Sequence, residues 1–304
     1  FHIVFLSKRG HVFSMGQNAY GVLGLGLSNM SASTADHAEV ITTPQQITQL
    51  NDGSPFPKII DIAVGWLTWY LTNTHQLIFT GLHTVANNDL LVSLPRRYNK
   101  IPFKISNIFS AHGNTYDGNV SLEGLYHLIL TNKDTKELYV MDTYVRNPYR
   151  DKYTDTERTV VPIKISDTDE VLKDIVEIGT GTKSSTNIIY LRKDGKVFTN
   201  NGIRYQGTGP GYQNFGFYPQ AKMVPNLPQI TRILINDYVI GANNTIYRIV
   251  NYNAEQAMTS NIQIANSDKS IEPTDIMAIS HSQYHQEKIF TKQGILYTFN
   301  NGSF

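Results

Sequence analysis

The chain has 304 residues, 40% hydrophobic and 11% aromatic, enough apolar material for a sizeable core and too much for a disordered tail. Its 26 Lys plus Arg against 25 Asp plus Glu exclude a global field that would draw it onto nucleic acid or anionic lipid. The absence of cysteine excludes a disulfide framework and a thiolate metal site, and no apolar run reaches the roughly 18 residues of a membrane helix.

In chain order, Phe1 to Leu6 already read as a strand, and a start inside a repeat, without Met or a leader, predicts a piece of something longer. A hairpin then returns six times: IVFLSKRGHVFSMG from Ile3, TWYLTNTHQLIFTG from Thr68, HLILTNKDTKELYVMD from His127, NIIYLRKDGKVFTNNG from Asn187, YVIGANNTIYRI from Tyr238 and EKIFTKQGILYTFNNG from Glu287. The equivalent aliphatic positions Val12, Leu77, Leu138, Val197, Ile246 and Leu296 are spaced by 65, 61, 59, 49 and 50 residues, which is repeat arithmetic. Before each hairpin from the second onward come two more runs. A short, proline-associated one spans Pro44 to Thr48, Pro102 to Ser106, Pro162 to Ser166, Val224 to Pro228 and Asn261 to Ala265. A β-branched one follows: KIIDIAVG from Lys58, SNIFSAHG from Ser106, DIVEIGTG from Asp174, QITRILIND from Gln229 and TDIMAISH from Thr274. Apolar residues alternate with polar ones in these runs and stripes at helical spacing are scarce, so four antiparallel strands per unit are predicted, A, B, C and D.

Units of four short strands cannot cover both of their own apolar faces, and radial stacking is the usual solution. The expected fold is therefore all-β, a β-propeller of four-stranded antiparallel blades. It comprises five complete blades plus a leading C–D hairpin, as part of a six- or seven-bladed ring. A single domain or fragment over 1–304 is expected, with a partial blade at 1–16 and successive blades at 44–81, 102–142, 161–202, 224–250 and 261–300. Glycine recurs where a tight turn needs a positive φ: Gly10, Gly195 and Gly294 at the C–D turns, with Asn243 and Asn244 standing in at the fifth.

These residues resemble the regulator of chromosome condensation type of repeat, the RCC1-like propeller. The first repeat matches best, with Gly16, Asn18, Gly21, Leu23, Gly24 and Gly26 in GQNAYGVLGLG. Gly124 and His127 keep the Gly-x-x-His element, His2 falls on the same histidine position, and Gly65 and Gly181 end their B strands in the same way. The chain departs from the pattern at Thr68 and Asn187, which hold the histidine position, and at Asn236 and Asp237, which replace a B-strand glycine. The resemblance is thus to a divergent member. It implies protein binding and, for some members, guanine-nucleotide exchange on a small GTPase with chromatin attachment.

Several motifs test an enzymatic reading and do not support it. Gly21, Gly24 and Gly26 could suggest a phosphate cradle, but no helix pattern opens after them, so they read as a repeat loop. His281 and His285 have a zinc-pair spacing that converges only on a helix, with no third ligand in view, and no metal is expected. His2, His112 and His127 read as residues tying one loop to another rather than as general bases, because no positioned partner is legible. No nucleophile elbow, paired-carboxylate motif or Walker loop is present, so no catalytic residue, cofactor or small-molecule substrate is assigned. Asn29, Asn119, Asn243 and Asn301 begin Asn-x-Ser/Thr triplets, which in an Asn-rich chain do not establish secretion. An intracellular setting, cytoplasm or nucleus, is the expectation.

The loops carry the functional lead. The long connections, Gln17 to Thr43, Leu82 to Ile101, Thr143 to Val161 and Ile203 to Met223 among D–A loops and Asn114 to Glu123 in a B–C loop, all leave the units by one end. Long loops on a rigid scaffold are where binding is usually placed. Tyr and Arg, which dominate the energetic centres of interfaces, concentrate there in TYVRNPYRDKYTDTER, with Tyr144, Arg146, Tyr149, Arg150, Tyr153 and Arg158. Trp66, Arg96, Arg97, Tyr98, Tyr205 and Tyr212 join them as partner-binding candidates. Asp151, Asp155 and Glu157 among the arginines disfavour a phosphate-tracking nucleic-acid groove. The expected function is a non-catalytic protein-binding module or assembly subunit. The alternative is an exchange factor for a small GTPase with chromatin association.

Overall fold

In a computed structural model of the chain, residues 2–18, 21–26, 39–64, 67–85, 88–117, 120–144, 160–180, 188–200, 203–205, 215–217, 220–234, 238–250, 253–258, 262–263, 270–272, 275–281 and 286–300 are described. They are strands and turns, as alternation and β-branching predict. β1 (His2–Leu6) and β2 (Val12–Gln17) form the first hairpin, and β3 (Val40–Gln46) lies antiparallel on β2. β4 (Ile59–Val64), β5 (Leu67–Thr72), β6 (Leu77–Val85) and β7 (Asn88–Tyr98) make a four-stranded antiparallel meander. β8 (Ile105–Asp117), β9 (Val120–Asn132), β10 (Leu138–Tyr144) and β11 (Val160–Pro162) make the next.

β12 (Lys164–Ile165) precedes β13 (Ile175–Thr180), β14 (Ile188–Arg192) and β15 (Val197–Asn200); after the small hairpin β16 (Ile203–Tyr205) and β17 (Phe215–Phe217), β18 (Gln220–Met223) returns onto β15. β12 pairs in parallel with β18 and extends that sheet to five strands. β19 (Ile230–Ile233), β20 (Tyr238–Gly241), β21 (Ile246–Val250) and β22 (Asn253–Met258) form a further meander. β23 (Ile262–Gln263) pairs with β24 (Ser270–Ile271), and β25 (Ile276–His281), β26 (Gln286–Thr291) and β27 (Leu296–Asn300) form a three-stranded sheet.

The strand grammar is as expected, but the phase of the unit is shifted by one strand. The segments read as A strands lead into their own sheet in sequence, yet the pairing partner of each D strand is the strand that ends at or just before that segment. β3 lies on β2, β7 on β6, β11 on β10, β18 on β15 and β22 on β21. The sheets β4–β7, β8–β11 and β19–β22 are thus B-C-D-A, plain antiparallel meanders, and residues 101–104 and 224–229 between β7 and β8 and between β18 and β19 are connections rather than strands. Proline explains the break, since it cannot donate to a ladder and marks the point where the chain leaves one sheet for the next. The stretches Leu82 to Ile101 and Asn114 to Glu123, expected as loops, are largely strand: they prolong the β6–β7 and β8–β9 hairpins.

The contacts divide the chain into two compact units, residues 1–112, 124–161 and 209–212, and residues 113–123, 162–208 and 213–304. In each unit the core lies between successive sheets, and the C strands supply it from both faces. In β5, Trp69 and Leu71 join Leu77, Phe79, Ile105, Leu128 and Leu130, while Tyr70 and Ile78 point the other way to join Val12, Ile47 and Ile59. In the second unit Val239 and Tyr247 pack with Ile189 and Ile230, while Ile240 and Ile246 pack with Ile276 and Ile289. A strand covered on both faces is buried throughout, as β5 is at all six positions, whereas β1, at the edge of its sheet among the described residues, alternates. Burying each large side chain contributes about 1.5–3 kcal/mol, so the contacts between sheets hold the structure.

Candidate partner-binding face

Of the twelve predicted partner-binding residues, Arg96, Arg97 and Tyr98 are fully described. They end β7, opposite Phe79, Ile78 and Leu77, so Arg96 and Arg97 leave opposite faces of the strand. Both arginines are exposed. Arg97 faces the turn that carries Asp52, whose carboxyl sits below the usual carboxylate range because the Ser54 hydroxyl and N–H donate to it, with Arg97 adding its charge. The N–H of Asn51 donates to Pro95 O (2.9 Å) and ties that turn to β7. Tyr98 is different: its ring is buried edge-on against Trp69 (centroids 5.7 Å apart) and Phe79 (6.2 Å). The structure therefore places it in the core rather than on a surface, because Trp69 on β5 and Phe79 on β6 cover its ring. Tyr144 and Tyr205 end β10 and β16. Trp66, Arg146, Tyr149, Arg150, Tyr153, Arg158 and Tyr212 lie outside the described residues.

The glycine-rich stretch is a structural splice. Gly21, Gly24 and Gly26 have φ of 73°, 70° and 71°, which favours glycine. Their N–H groups donate to Asn18 O, Gly21 O and Ser93 O, which leaves them engaged rather than aimed at an anion. A Cβ on Gly24 would meet Thr80 at 3.0 Å and Ile47 at 3.2 Å, and one on Gly26 would meet Leu94 at 3.0 Å. The carbonyl of Val22 accepts from the hydroxyls of Thr68 (3.3 Å) and Thr80 (3.2 Å), and Ser14 Oγ donates to Leu23 O (2.7 Å). The first D–A connection is thereby fastened across the second sheet.

Polar ties between sheets recur at equivalent places, and the sequence reading missed most of them. The first N–H of a B strand donates to the preceding C–D turn, Ile59 to Gly10 O (3.0 Å), Ile105 to His75 O (3.4 Å) and Ile230 to Gly195 O (3.0 Å). Gly10, Gly195 and Gly294 take the positive φ expected of them, and Asn244 does so at the fifth turn; His75 (66°) and Lys136 (60°) do so where no glycine marks the turn. His75 compensates by bonding: Lys133 Nζ donates to its Nε2 (2.7 Å), so its Nδ1–H donates to Ile105 O (2.9 Å). Two residues into the B strands, Asp61 accepts from Ile108 N–H (3.0 Å) and Glu177 from Ile233 N–H (2.6 Å). At the same position Arg232 donates to Met277 O (2.5 Å). Burial pushes the Asp61 carboxyl up.

His2 lies 3.4 Å from the Thr68 hydroxyl, and burial lowers its pKa to about 4, so the ring is neutral and ties the first sheet to the second. Asn243 Oδ1 accepts from Thr245 N–H (3.2 Å) and its amide donates to the Tyr247 hydroxyl (3.0 Å), which makes this triplet asparagine a turn residue. His281 ends β25, and His112 and His127 lie in β8 and β9; His285 lies outside the described residues. Among the described residues no helix is long and apolar enough to cross a membrane.

Residues 9–67 match the family model for the regulator of chromosome condensation (RCC1) repeat. No curated protein matches the chain by sequence. Among solved structures, human WBSCR16 is similar at 11% identity and a TM-score of 0.56, over 98% of this chain and 74% of that one. Prp20p from Saccharomyces cerevisiae, whose structure is described with its binding properties to Gsp1p and histones, is similar at 14% identity and a TM-score of 0.54, over 98% of this chain and 69% of that one. The matched repeat, the four-stranded sheets and these two likenesses together identify the fold as an RCC1-like β-propeller.

Proposed function

We propose that the chain is a non-catalytic protein-binding module or assembly subunit that engages a macromolecular partner through the D–A and B–C ends of its sheets. The observation that carries this is the asymmetry of the hairpins. β6 and β7 run to 9 and 11 residues and β8 and β9 to 13 each at their D–A and B–C connections, while each described C–D connection is a tight turn. Strand-built extensions hold what they carry at low entropic cost, and preorganisation of that kind favours binding. Arg96 and Arg97 lie at the opposite end of β7, where they pair with Phe79 and Ile78 beside the β5–β6 turn. The experiment is recovery of partners by the tagged chain, comparing wild type with Arg146→Ala/Tyr149→Ala/Arg150→Ala in the D–A stretch and with Arg96→Ala/Arg97→Ala at the other end of its sheet. Loss of partners by the triple variant and their retention by Arg96→Ala/Arg97→Ala are expected; equal recovery by wild type and the triple variant removes the reading.

A second reading, guanine-nucleotide exchange on a small GTPase with chromatin association, is favoured by the likeness to Prp20p and its described binding to Gsp1p and histones. It is tested separately by nucleotide release from candidate GTPases, where a rate no faster than spontaneous release counts against it. Fold alone does not carry an activity, so the binding reading comes first.

A further inference from the structure

At the C–D end of the first sheet, opposite to the connections discussed above, Arg9, Gly10, His11, Gln46, Ile47, Phe56, Pro57 and Lys58 line a cavity of about 190 Å³. We propose that this cavity binds the acidic side chain of a peptide segment, carried next to an apolar or aromatic residue. The floor is apolar: Ile47 is buried and Phe56 stacks edge-on against Tyr70 with centroids 5.4 Å apart. The rim is basic and exposed, with Arg9, His11 and Lys58, and none of the lining residues is acidic. Among the described residues neither Arg9 nor Lys58 has an ion-pair partner, whereas Arg192 is paired to Asp194 at 2.7 Å and Lys164 to Asp169 at 2.9 Å.

Comparison of the repeats singles out Arg9. The turn position it holds is Thr74, Asn243, Asp194 and Gln293 in the turns built alike. Asp194 and Asn243 are needed there, because they accept the N–H groups of Lys196 and Thr245. In the first turn Ser7 Oγ takes that duty by accepting from His11 N–H (2.9 Å), which frees the position for a side chain with no role in the turn. It is filled by a cation, beside Lys58 at the head of β4, where the fourth unit has Gln229. A residue that departs from its repeat without a structural gain marks a functional place. The volume is below the roughly 300–1,000 Å³ of small-molecule pockets, so a single side chain fits better than a metabolite. Two unpaired cations over an apolar floor select a carboxylate on an apolar neighbour by charge complementarity.

The test is fluorescence anisotropy with the full chain and a labelled decapeptide alternating Glu with Phe and Leu, against the same peptide with Gln for Glu. The Glu peptide is expected to bind at least tenfold more tightly, to weaken with added salt, and to lose at least tenfold on Arg9→Gln/Lys58→Gln. Lys8→Gln, on the same turn but outside the cavity, is expected to bind as wild type does. Circular dichroism verifies that each variant is folded. If the double variant does not fold, the single variants and the salt dependence of wild type decide. The proposal is overturned by equal affinity for the two peptides, by a salt-independent affinity, by unchanged binding in the cavity variants, or by a single-stranded oligonucleotide that displaces the peptide at lower concentration.

Discussion

Three glycines with nearly the same backbone separate conformational strain from close approach. Gly10, Gly53 and Gly294 have φ of +84°, +80° and +80°; a Cβ on Gly53 or Gly294 would meet nothing within 4 Å, whereas one on Gly10 would collide with the Lys58 side chain and come within 2.8 Å of Ile59 O. Alanine in the left-handed region costs about 1–2 kcal/mol, offset by about 0.4–1 kcal/mol from the less flexible unfolded chain. Gly53→Ala and Gly294→Ala are therefore expected to destabilise by about 0.5–1.5 kcal/mol. At Gly10 the Lys58 stem can swing aside, but the Ile59 carbonyl belongs to the head of β4, whose N–H donates to Gly10 O at 3.0 Å. Shifting that strand adds about 1–3 kcal/mol of overpacking and endangers a hydrogen bond of about 1 kcal/mol, for a total of about 2–5 kcal/mol. Urea unfolding followed by tryptophan fluorescence suits the measurement, because Trp69 is buried in the adjoining sheet and reports its loss. Coincident midpoints for Gly10→Ala and Gly53→Ala, at an unchanged m-value, would refute the close-approach argument.

Asp61→Ala leaves the Ile108 N–H without its acceptor and is expected to cost about 1–3 kcal/mol, with faster amide exchange at Ile108 as the local signature. Trp69→Ala, at a fully packed site between two sheets, is expected to cost about 3–5 kcal/mol, measured by urea unfolding followed by circular dichroism because the variant lacks the fluorescent reporter. For His2 the folded pKa lies near 4, below the unfolded value of about 6.5. The unfolded chain therefore binds the extra proton first, and stability falls as the pH drops from about 6.5 to about 4. His2→Asn should flatten that part of the stability profile. Asp194, held near 2 by Arg192, contributes stability above about pH 3.8 that is lost as the pH falls towards 2. It is a small contribution, because the pair is solvated, and Asp194→Asn is the check.

Much of this architecture was written in local pattern. The repeat period, the alternation and the glycine or asparagine of the C–D turns are enforced by backbone sterics and by the two-residue pleat, so Gly10, Gly195, Gly294 and Asn244 behave as their identities imply. His75 and Lys136 occupy the same conformation without a glycine, because tertiary bonds such as Lys133 to His75 and His75 to Ile105 can offset the strain. The candidate surface was legible as composition only. Arg96, Arg97 and Tyr98 are adjacent in sequence and equally plausible there, yet the pleat puts Arg96 and Tyr98 on one face of β7, and only the packing of Trp69 and Phe79 around Tyr98 buries it while both arginines stay exposed.

The amino-acid sequence by itself determined the kind of unit, its number of strands and the turns that close it, since those depend on residues close along the chain. Only the tertiary structure decided which strand pairs with which across a proline break, which polar side chains tie one sheet to the next, and that Arg9 and Lys58, 49 residues apart, rim one cavity. Such choices rest on contacts between distant segments, and their free energy exists only once the sheets have packed.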